Sequence, residues 1–410
     1  MRKFLRYTFF VLFSLFYLLT SSRLEVPFIT VLRWVGSGVL FISAIIYNYL
    51  ADRSVDVFPQ KSYIFLLIAL IPTFLGLAEE ATLYSFERIF SLFLVLYGLE
   101  LFFDLPCWND KSYVNLISIL TFLAGLCMLY SAINPNIMND RMTGFYMNAN
   151  FLSCIALFTL TMSLSLFCYN KNLFLKIFWL AIMALSFYCI IMSGSRTGFF
   201  ALLALLFMIP ILLQKKISIK GVILLVLGYV VIVSAVVYVL DNYNISAVER
   251  ILLFKNSGGT FSRGEAWKDV LNIFYEKPIF GWGYGGISYK VFVEANNDYM
   301  WGVHSSYFMI LCEMGIFGST FFLLFFIGYF GNIFKNYHGA KNKMSFNQTL
   351  FVRFTILNSF IILINAYSES FLFSLGNPMS ICFWCPLIFI FNYLRKMKQS
   401  EVPKVTMLGR

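Results

Sequence analysis

The first indication of where this chain could carry out chemistry comes from its histidines. Histidine occurs only twice in the sequence, and His304 stands where a polar segment turns into an apolar one, in GVHSSYFMILCEMGIFG. A helix N-terminus and nearby arginines both disfavour the imidazolium, and a neutral imidazole is what a general base needs. The other interpretation is an interfacial histidine that only caps the helix, and the local sequence leaves both open.

Two arginines stand at predicted helix starts in a similar way. Arg196 follows a Ser-Gly-Ser turn at the start of an apolar segment, and Arg263 follows Ser262 at the start of an amphipathic one. Free backbone N–H groups and the helix dipole make such ends anion sites, and a guanidinium adds a planar donor fork suited to phosphate oxygens. We predict an anion site at both arginines. The alternatives are interfacial anchoring for Arg196 and a merely solvated helix start for Arg263.

Charged residues inside apolar segments are the second chemical signal. Arg33, Glu313 and Glu369 lie toward the ends of their segments that we predict below to face outward, whereas Glu100 lies near an inner end. The outward bias predicts a cavity open to the outside, although structural pairing between helices explains the first three residues equally well. No cluster of metal-ligating residues occurs in the longest polar loop, so we expect chemistry without a metal or cofactor.

Apolar spans must position these residues. Sixty per cent of the residues are hydrophobic, 12% are charged and the mean hydropathy is +0.78, values typical of a membrane protein. Apolar runs of about 17–25 residues recur, each long enough to cross about 30 Å of hydrocarbon. We predict an all-α integral membrane protein with about 12 transmembrane helices, at roughly 5–22, 26–50, 62–78, 88–104, 113–133, 149–169, 173–193, 196–213, 221–240, 303–334, 350–375 and 379–394.

The basic residues predict the orientation. With twelve spans, most of the 31 Lys and Arg residues fall on the side of the N-terminus, which places both termini in the cytoplasm. The predicted organisation is spans 1–9 over residues 1–240, a large extracytoplasmic loop over 241–302, spans 10–12 over 303–394 and a basic cytoplasmic tail over 395–410. The net charge of +11 follows from this topology and does not indicate a nucleic-acid partner.

The large loop is predicted to be partly helical. In SRGEAWKDVLNIFYEKP, Ser262 and Glu265 have the spacing of a capping box. Four apolar residues then recur at helical spacing and form one face: Trp267, Val270, Leu271 and Phe274. The GxGxxG of the following FGWGYGGISY lacks the flanking strand and helix of a nucleotide site, so it favours a tightly turned or mobile segment lining a site.

Four motifs in order resemble those of the O-antigen ligase and polysaccharide polymerase superfamily of bacterial multi-pass membrane proteins. They are RMTGFYMNANFLS, SGSRTGFFALL, SRGEAWKDVLNIFYEKPIFGWGYG and HSSYFMILCEMGIFG, and together they cover about residues 141–318. Two positions depart from the family pattern: Ala149 replaces a usual proline and Ser305 replaces a frequent asparagine. Neither change removes a charged group.

The resemblance implies a metal-independent glycosyltransferase in the bacterial cytoplasmic (inner) membrane, with its site facing the periplasm or the cell exterior. Its donor would be a glycan on undecaprenyl diphosphate. Arg196 and Arg263 would bind the diphosphate and stabilise it as leaving group, and His304 would activate the acceptor hydroxyl, giving inversion. Three further residues are candidates for substrate binding: Arg141, Asn150 and Glu313.

Three functions stay open at this point. The first is a polymerase that joins repeat units of O-antigen, capsule or exopolysaccharide, and the second is a ligase that moves the finished chain to lipid A-core or another acceptor. The third is a flippase for lipid-linked glycans, which the absence of an internal repeat and the one-sided polar residues disfavour. Membrane lipids, a chain-length regulator and a flippase are further candidate partners.

Overall fold

A computed structural model of the chain describes residues 3–24, 26–50, 60–74, 82–214, 263–286 and 304–399, without the side chains of 3, 82–84, 263–266 and 269. The predicted ninth span, 221–240, lies outside the described residues, as do Ser262 and the side chain of Glu265 from the predicted capping box. The bounds given below refer to the described residues only.

The described residues are mostly helical, in agreement with the predicted fold class. Their twelve α-helices are α1 (Lys3–Leu19), α2 (Ile29–Leu50), α3 (Tyr63–Phe74), α4 (Thr82–Phe103), α5 (Asp110–Ile133), α6 (Ala149–Tyr169), α7 (Leu173–Met192), α8 (Arg196–Leu213), α9 (Arg263–Glu276), α10 (Ser306–Ala340), α11 (Phe346–Ala366) and α12 (Pro378–Gln399). Two short strands, β1 (Ile137–Met138) and β2 (Arg141–Met142), form an antiparallel hairpin between α5 and α6.

Eight of these helices are long and apolar enough to cross a membrane, namely α2, α5, α6, α7, α8, α10, α11 and α12. The apolar helices α1 and α3 are shorter, with 17 and 12 residues. Helix α4 has 22 residues and carries Glu87, Arg88 and Glu100. The three helices α1, α3 and α4 all overlap predicted spans. The structure therefore supports a multi-pass membrane protein but does not confirm a count of twelve spans.

Helices α12, α11 and α6 form the centre of the bundle. Their most apolar stretches are 94%, 78% and 72% buried, whereas those of α2, α7 and α8 are each 28% buried. Some of the polar side chains inside this centre bond to backbone carbonyls. The hydroxyls of Thr159 and Thr161 donate to carbonyls one turn earlier at 2.7 Å. Such bonds let hydroxyl groups pack between helices without leaving a donor unsatisfied in an apolar medium.

Polar contacts mark the two ends of the bundle. At one end, Asp110 accepts hydrogen bonds from the hydroxyls of Tyr169 at 2.9 Å and Tyr393 at 2.5 Å, and Asp104 pairs with Arg395. We call this the Asp110 end. The other end contains the starts of α6, α8 and α10, and we call it the His304 end.

The predicted span 350–375 differs from the observed helix. Helix α11 ends at Ala366, and residues 367–377 form a loop that crosses the His304 end before α12 begins. We call these residues the crossing loop. Its Ser368, Glu369 and Ser370 bond to neighbouring helix starts, and these bonds replace the ones that a longer helix would make. Helix α12 also continues to Gln399, into the predicted tail.

Candidate active site

Three helix N-termini meet at the His304 end, and each is capped by a side chain from the residue before it. The Asn148 side chain accepts from the N–H of Asn150 at the start of α6, and Ser195 accepts from Gly198 at the start of α8. Ser305 caps α10 in the same way. Each cap satisfies only one of the free N–H groups, so the three ends together form an electropositive surface.

The crossing loop joins the starts of α8 and α10. The hydroxyls of Thr197 and Ser368 lie 2.7 Å apart. The Ser306 hydroxyl donates to the Glu369 carbonyl at 2.7 Å, and the Ser305 N–H donates to the Ser370 hydroxyl at 3.2 Å. Because three consecutive loop residues hold both helix starts, Arg196 and His304 are brought to the same small region from positions more than a hundred residues apart in sequence.

Arg196 is the first residue of α8 and is half-buried. It follows Gly194, whose φ of 58° allows the tight turn out of α7. Two residues later, a Cβ on Gly198 would overlap the Ser153 hydroxyl of α6, so α8 approaches α6 too closely for any side chain there. The guanidinium is therefore carried by a helix start with a fixed position relative to α6.

His304 lies one residue before the cap of α10, is half-buried and has a φ of 44°. A positive φ is uncommon for residues other than glycine, and such strain often occurs at functional sites. The bonds from the following Ser305 and Ser306 to the crossing loop hold this conformation. The histidine thus lies just outside the helix that the sequence predicted it to begin.

A chain of hydrogen bonds connects two other predicted residues to a carboxylate. Arg141 donates from Nη2 to the Asn150 Oδ1 and from Nε to the carbonyl of Ser193 at 2.9 Å. Asn150 then donates from Nδ2 to Glu369 Oε1 at 2.5 Å. Asn150 and Glu369 are only 9% and 5% exposed, so this contact is screened from water. The structure thus places Arg141 and Asn150, both candidates for substrate binding, in direct contact.

Glu369 was not among the predicted site residues, although the sequence contained a signal for it. A carboxylate in an apolar segment indicates either function or pairing. Its partner could not be chosen from the sequence, since Asn150 lies 219 positions earlier. The structure adds Glu369 to the candidate site as the acceptor that holds the start of α6 against the crossing loop.

Arg263 is the first residue of α9, and its side chain lies outside what the structure describes. The helix itself is docked on α10. The ring of Trp267 lies 5.3 Å from that of Phe308 and 5.2 Å from that of Tyr367, and Cys312 Sγ donates to the Val270 carbonyl at 3.3 Å. The start of α9 is thereby held near the start of α10 and the crossing loop.

Glu313 lies deeper, seven residues and about 10 Å beyond the start of α10. It is 2% exposed and forms an ion pair of 3.6 Å with Arg88 of α4. The Arg88 guanidinium also lies over the Tyr284 ring at 5.4 Å, and the Tyr284 hydroxyl donates to the Phe373 carbonyl at 2.6 Å. Glu313 is therefore placed below the three helix starts, in a pair between helices.

Helix α10 is interrupted at Gly315, two residues after Glu313. Gly315 has φ 61° and ψ −171°, so the regular ladder of hydrogen bonds stops there. Residues 278–282 replace the missing bonds: the N–H groups of Ile316 and Phe317 donate to the carbonyls of Pro278 and Ile279, at 2.9 and 3.0 Å. The N–H of Trp282 donates in return to the carbonyl of Cys312 at 3.1 Å. The predicted glycine-rich turn is thus a backbone clamp on α10.

Several arginines at the His304 end serve the frame. Three of them donate to backbone carbonyls: Arg23 to Tyr146 at 3.2 Å, Arg33 to Gly376 at 2.7 Å and Arg141 to Ser193 at 2.9 Å. These bonds bind loops together, so Arg23, Arg33 and Arg141 help to hold the His304 end in place. Within the described ranges, no three His, Cys, Asp or Glu side chains group as metal ligands.

A match to a known protein family covers part of this region. Residues 181–323 match the model of a protein family described as O-Antigen ligase. The match spans about a third of the chain and takes in α8, α9 and the first half of α10, including its interruption at Gly315, with Arg196, Arg263 and His304. It confirms the resemblance to the O-antigen ligase and polysaccharide polymerase superfamily that the four motifs indicated.

The family in turn implies a glycosyltransferase-like enzyme, with a lipid-linked glycan and an acceptor as its general substrates. Together with the apolar helices, it supports a multi-pass membrane protein of polysaccharide biosynthesis. No curated protein matches the chain.

Proposed function

We propose that this chain is a glycosyltransferase that polymerises the repeat units of an O-antigen, capsular or exopolysaccharide chain. The donor is a glycan on undecaprenyl diphosphate at the outer face of the bacterial cytoplasmic membrane. One observation carries the proposal: the crossing loop holds the start of α8, with Arg196, and the start of α10, with His304, against each other. An anion site and a base at one end of a membrane bundle suit a lipid diphosphate and a sugar hydroxyl.

In the proposed reaction, His304 takes the proton of the acceptor hydroxyl, and its oxygen attacks the anomeric carbon of the donor. The bond from that carbon to the diphosphate breaks, and the diphosphate leaves with the electron pair. Arg196 and Arg263 stabilise the negative charge that develops on the leaving group, together with the N–H groups of the helix starts. A single displacement from the face opposite the leaving group inverts the anomeric centre.

The remaining candidates have supporting roles in this proposal. Arg141 on β2 and Asn150 at the start of α6 contact the donor, in an orientation set by the bond between them and by the bond from Asn150 to Glu369. Glu313 was a candidate for substrate binding, but its burial and its ion pair with Arg88 favour a positioning role. Through that pair it keeps α10 and α4 together below the site.

A ligase is the second candidate, because the matched family carries that description. Polymerase and ligase share the donor chemistry and differ in the acceptor. For a polymerase the acceptor is another lipid-linked glycan, and for a ligase it is lipid A-core or a comparable molecule. The acceptor must therefore be varied in the experiment that separates them.

The experiment uses the purified full chain with its lipid-linked repeat unit, with and without lipid A-core, and separates the products by size. The variant is His304→Ala. The matched control is His338→Ala, which changes the second histidine, in the last turn of α10 at the Asp110 end. We expect a ladder on undecaprenyl diphosphate without added core, slower by about 10²–10⁴-fold in His304→Ala and unchanged in His338→Ala.

The other outcomes have defined meanings. Product only when core is supplied makes the protein a ligase. Equal activity of the two histidine variants means that His304 is not the general base, although the protein is still a glycosyltransferase. Absence of product under both conditions, with lipid-linked glycan crossing the membrane of reconstituted vesicles, contradicts the enzyme and favours a flippase.

A further inference from the structure

A concave site lies at the Asp110 end, away from His304. It is a cavity of about 430 Å³ between the ends of α8 and α10 and the first half of α11. Four of its lining residues carry hydrogen-bond donors on their side chains: Gln214, Tyr337, Lys341 and Arg353. Most of the remaining wall is apolar, and the size falls within the range of about 300–1,000 Å³ found for small-molecule sites.

Arg353 is fixed in this cavity by hydrogen bonds to three neighbouring groups. Its Nη1 donates to the carbonyls of Leu212 at 2.7 Å and Gln214 at 3.3 Å, and its Nε donates to the Tyr337 hydroxyl at 3.0 Å. These bonds satisfy carbonyls at the end of α8 that have no partner inside the helix. The guanidinium therefore has a defined position in the wall, and no reorganisation is needed before a ligand binds.

This arrangement leaves donors available for an anion. The Arg353 Nη2 has no acceptor among the residues that the structure describes. The Tyr337 hydroxyl accepts from Arg353, so its own proton can be donated. Lys341 adds an exposed ammonium at the rim, and none of the lining residues is acidic. Two positive charges and a phenol with no carboxylate favour a phosphate group.

An apolar track leads away from the cavity along α10 and α11. Phe334 lines the cavity and is 41% exposed, and Phe330 lies one helical turn before it. The Phe330 ring stacks on that of Phe360 at 5.0 Å, and Phe360 is 42% exposed. A phosphate site that opens onto exposed aromatic residues of membrane helices has the two parts that a phospholipid requires.

We propose that this cavity binds an anionic phospholipid. Its phosphate contacts Arg353, Tyr337 and Lys341, and one acyl chain lies along Phe334 and Phe330. Basic cavities between transmembrane helices are a recurring form of lipid recognition. The proposal is independent of glycosyl transfer, because the cavity lies at the opposite end of the bundle from the candidate active site.

The test is native mass spectrometry of the full chain in detergent, titrated with phosphatidylglycerol or phosphatidylcholine, with thermal unfolding in the same lipids and in inorganic phosphate. We expect one phosphatidylglycerol to bind in preference to phosphatidylcholine and to raise the unfolding temperature. Lys341→Gln and Tyr337→Phe should each weaken that binding by about tenfold. The control is Lys335→Gln, which removes an exposed charge of α10 outside the cavity and should leave binding unchanged.

Arg353→Gln also removes bonds that hold the end of α8, so Lys341→Gln and Tyr337→Phe keep the test decisive if that variant fails to fold. Equal binding of the two lipids, or binding unaffected in both of these variants, overturns the proposal. Stabilisation by inorganic phosphate that equals the effect of phosphatidylglycerol overturns the lipid assignment and makes the cavity a site for soluble anions.

Discussion

The interruption of α10 gives the sharpest prediction, because a single methyl group tests it. Gly315→Ala would place a Cβ 2.5 Å from the carbonyl carbon of Ile279 and 2.6 Å from the nitrogen of Gly281, far inside van der Waals contact at about 3.5 Å. Its φ of 61° with ψ of −171° also lies in a region that is essentially restricted to glycine, at a cost of about 1–3 kcal/mol for other residues.

The clash forces residues 278–282 away from α10. This movement breaks three backbone hydrogen bonds, worth about 1 kcal/mol each, so the total destabilisation of the clamp is about 4–6 kcal/mol. Cys312 reports on it, since its thiol is fully buried against Val270 of α9. A local opening that is about 4 kcal/mol easier raises the labelling rate of Cys312 by a factor on the order of 10³.

The assay is maleimide labelling of the folded protein, with each cysteine followed by peptide mapping. Gly331→Ala is the matched control, because it changes a glycine of the same helix around which no atom lies within 4 Å of the added methyl. Labelling of Cys312 should rise in Gly315→Ala and stay low in Gly331→Ala, and glycan transfer should fall only in the former. A Gly315→Ala protein with unchanged labelling and unchanged unfolding temperature would refute the clamp.

Three other predictions follow from the site. Trp267→Ala should loosen α9 by about 2 kcal/mol, seen as faster proteolysis near that helix, whereas Tyr275→Ala, which is 70% exposed on the same helix, should not; equal proteolysis would contradict the docking. Asn150→Leu should cost about 2–3 kcal/mol of unfolding free energy by removing the amide between the arginine and the carboxylate, and an unchanged unfolding temperature would argue against that chain of bonds. In a double-mutant cycle, Thr197→Val and Ser368→Ala should show a coupling of about 1 kcal/mol in unfolding, and strict additivity would mean that the two hydroxyls do not interact.

The helices were largely predictable, because an apolar run in lipid must form a helix to satisfy its own backbone. Hydropathy does not, however, detect where a loop enters the bundle. The predicted span 350–375 merged α11 with part of the crossing loop because Phe371, Leu372 and Phe373 are as apolar as a helix interior. The loop is recognisable only from its partners, such as the Ser306 hydroxyl that bonds to the Glu369 carbonyl.

The candidate site divides in the same way. Arg196 and His304 could be selected from sequence. A helix start and its free N–H groups follow from the local sequence, and they indicate the role of a polar residue beside them. Glu369 could be noticed but not assigned, and the interruption at Gly315 could not be predicted at all. Both depend on contacts with residues distant in sequence, namely Asn150 and residues 278–282.

The two glycine-containing motifs of the sequence are the two sides of one contact. Gly281 belongs to KPIFGWG and Gly315 to EMGIFG, and a Cβ on Gly281 would lie 2.5 Å from both the Glu313 carbonyl oxygen and the Gly315 nitrogen. Two backbones this close exclude side chains from both, which accounts for the glycines without any bound nucleotide. Because α9 leads directly into this clamp, the position of Arg263 relative to His304 depends on the interruption of α10. The proposed leaving-group site therefore requires Gly315 as much as it requires the arginine.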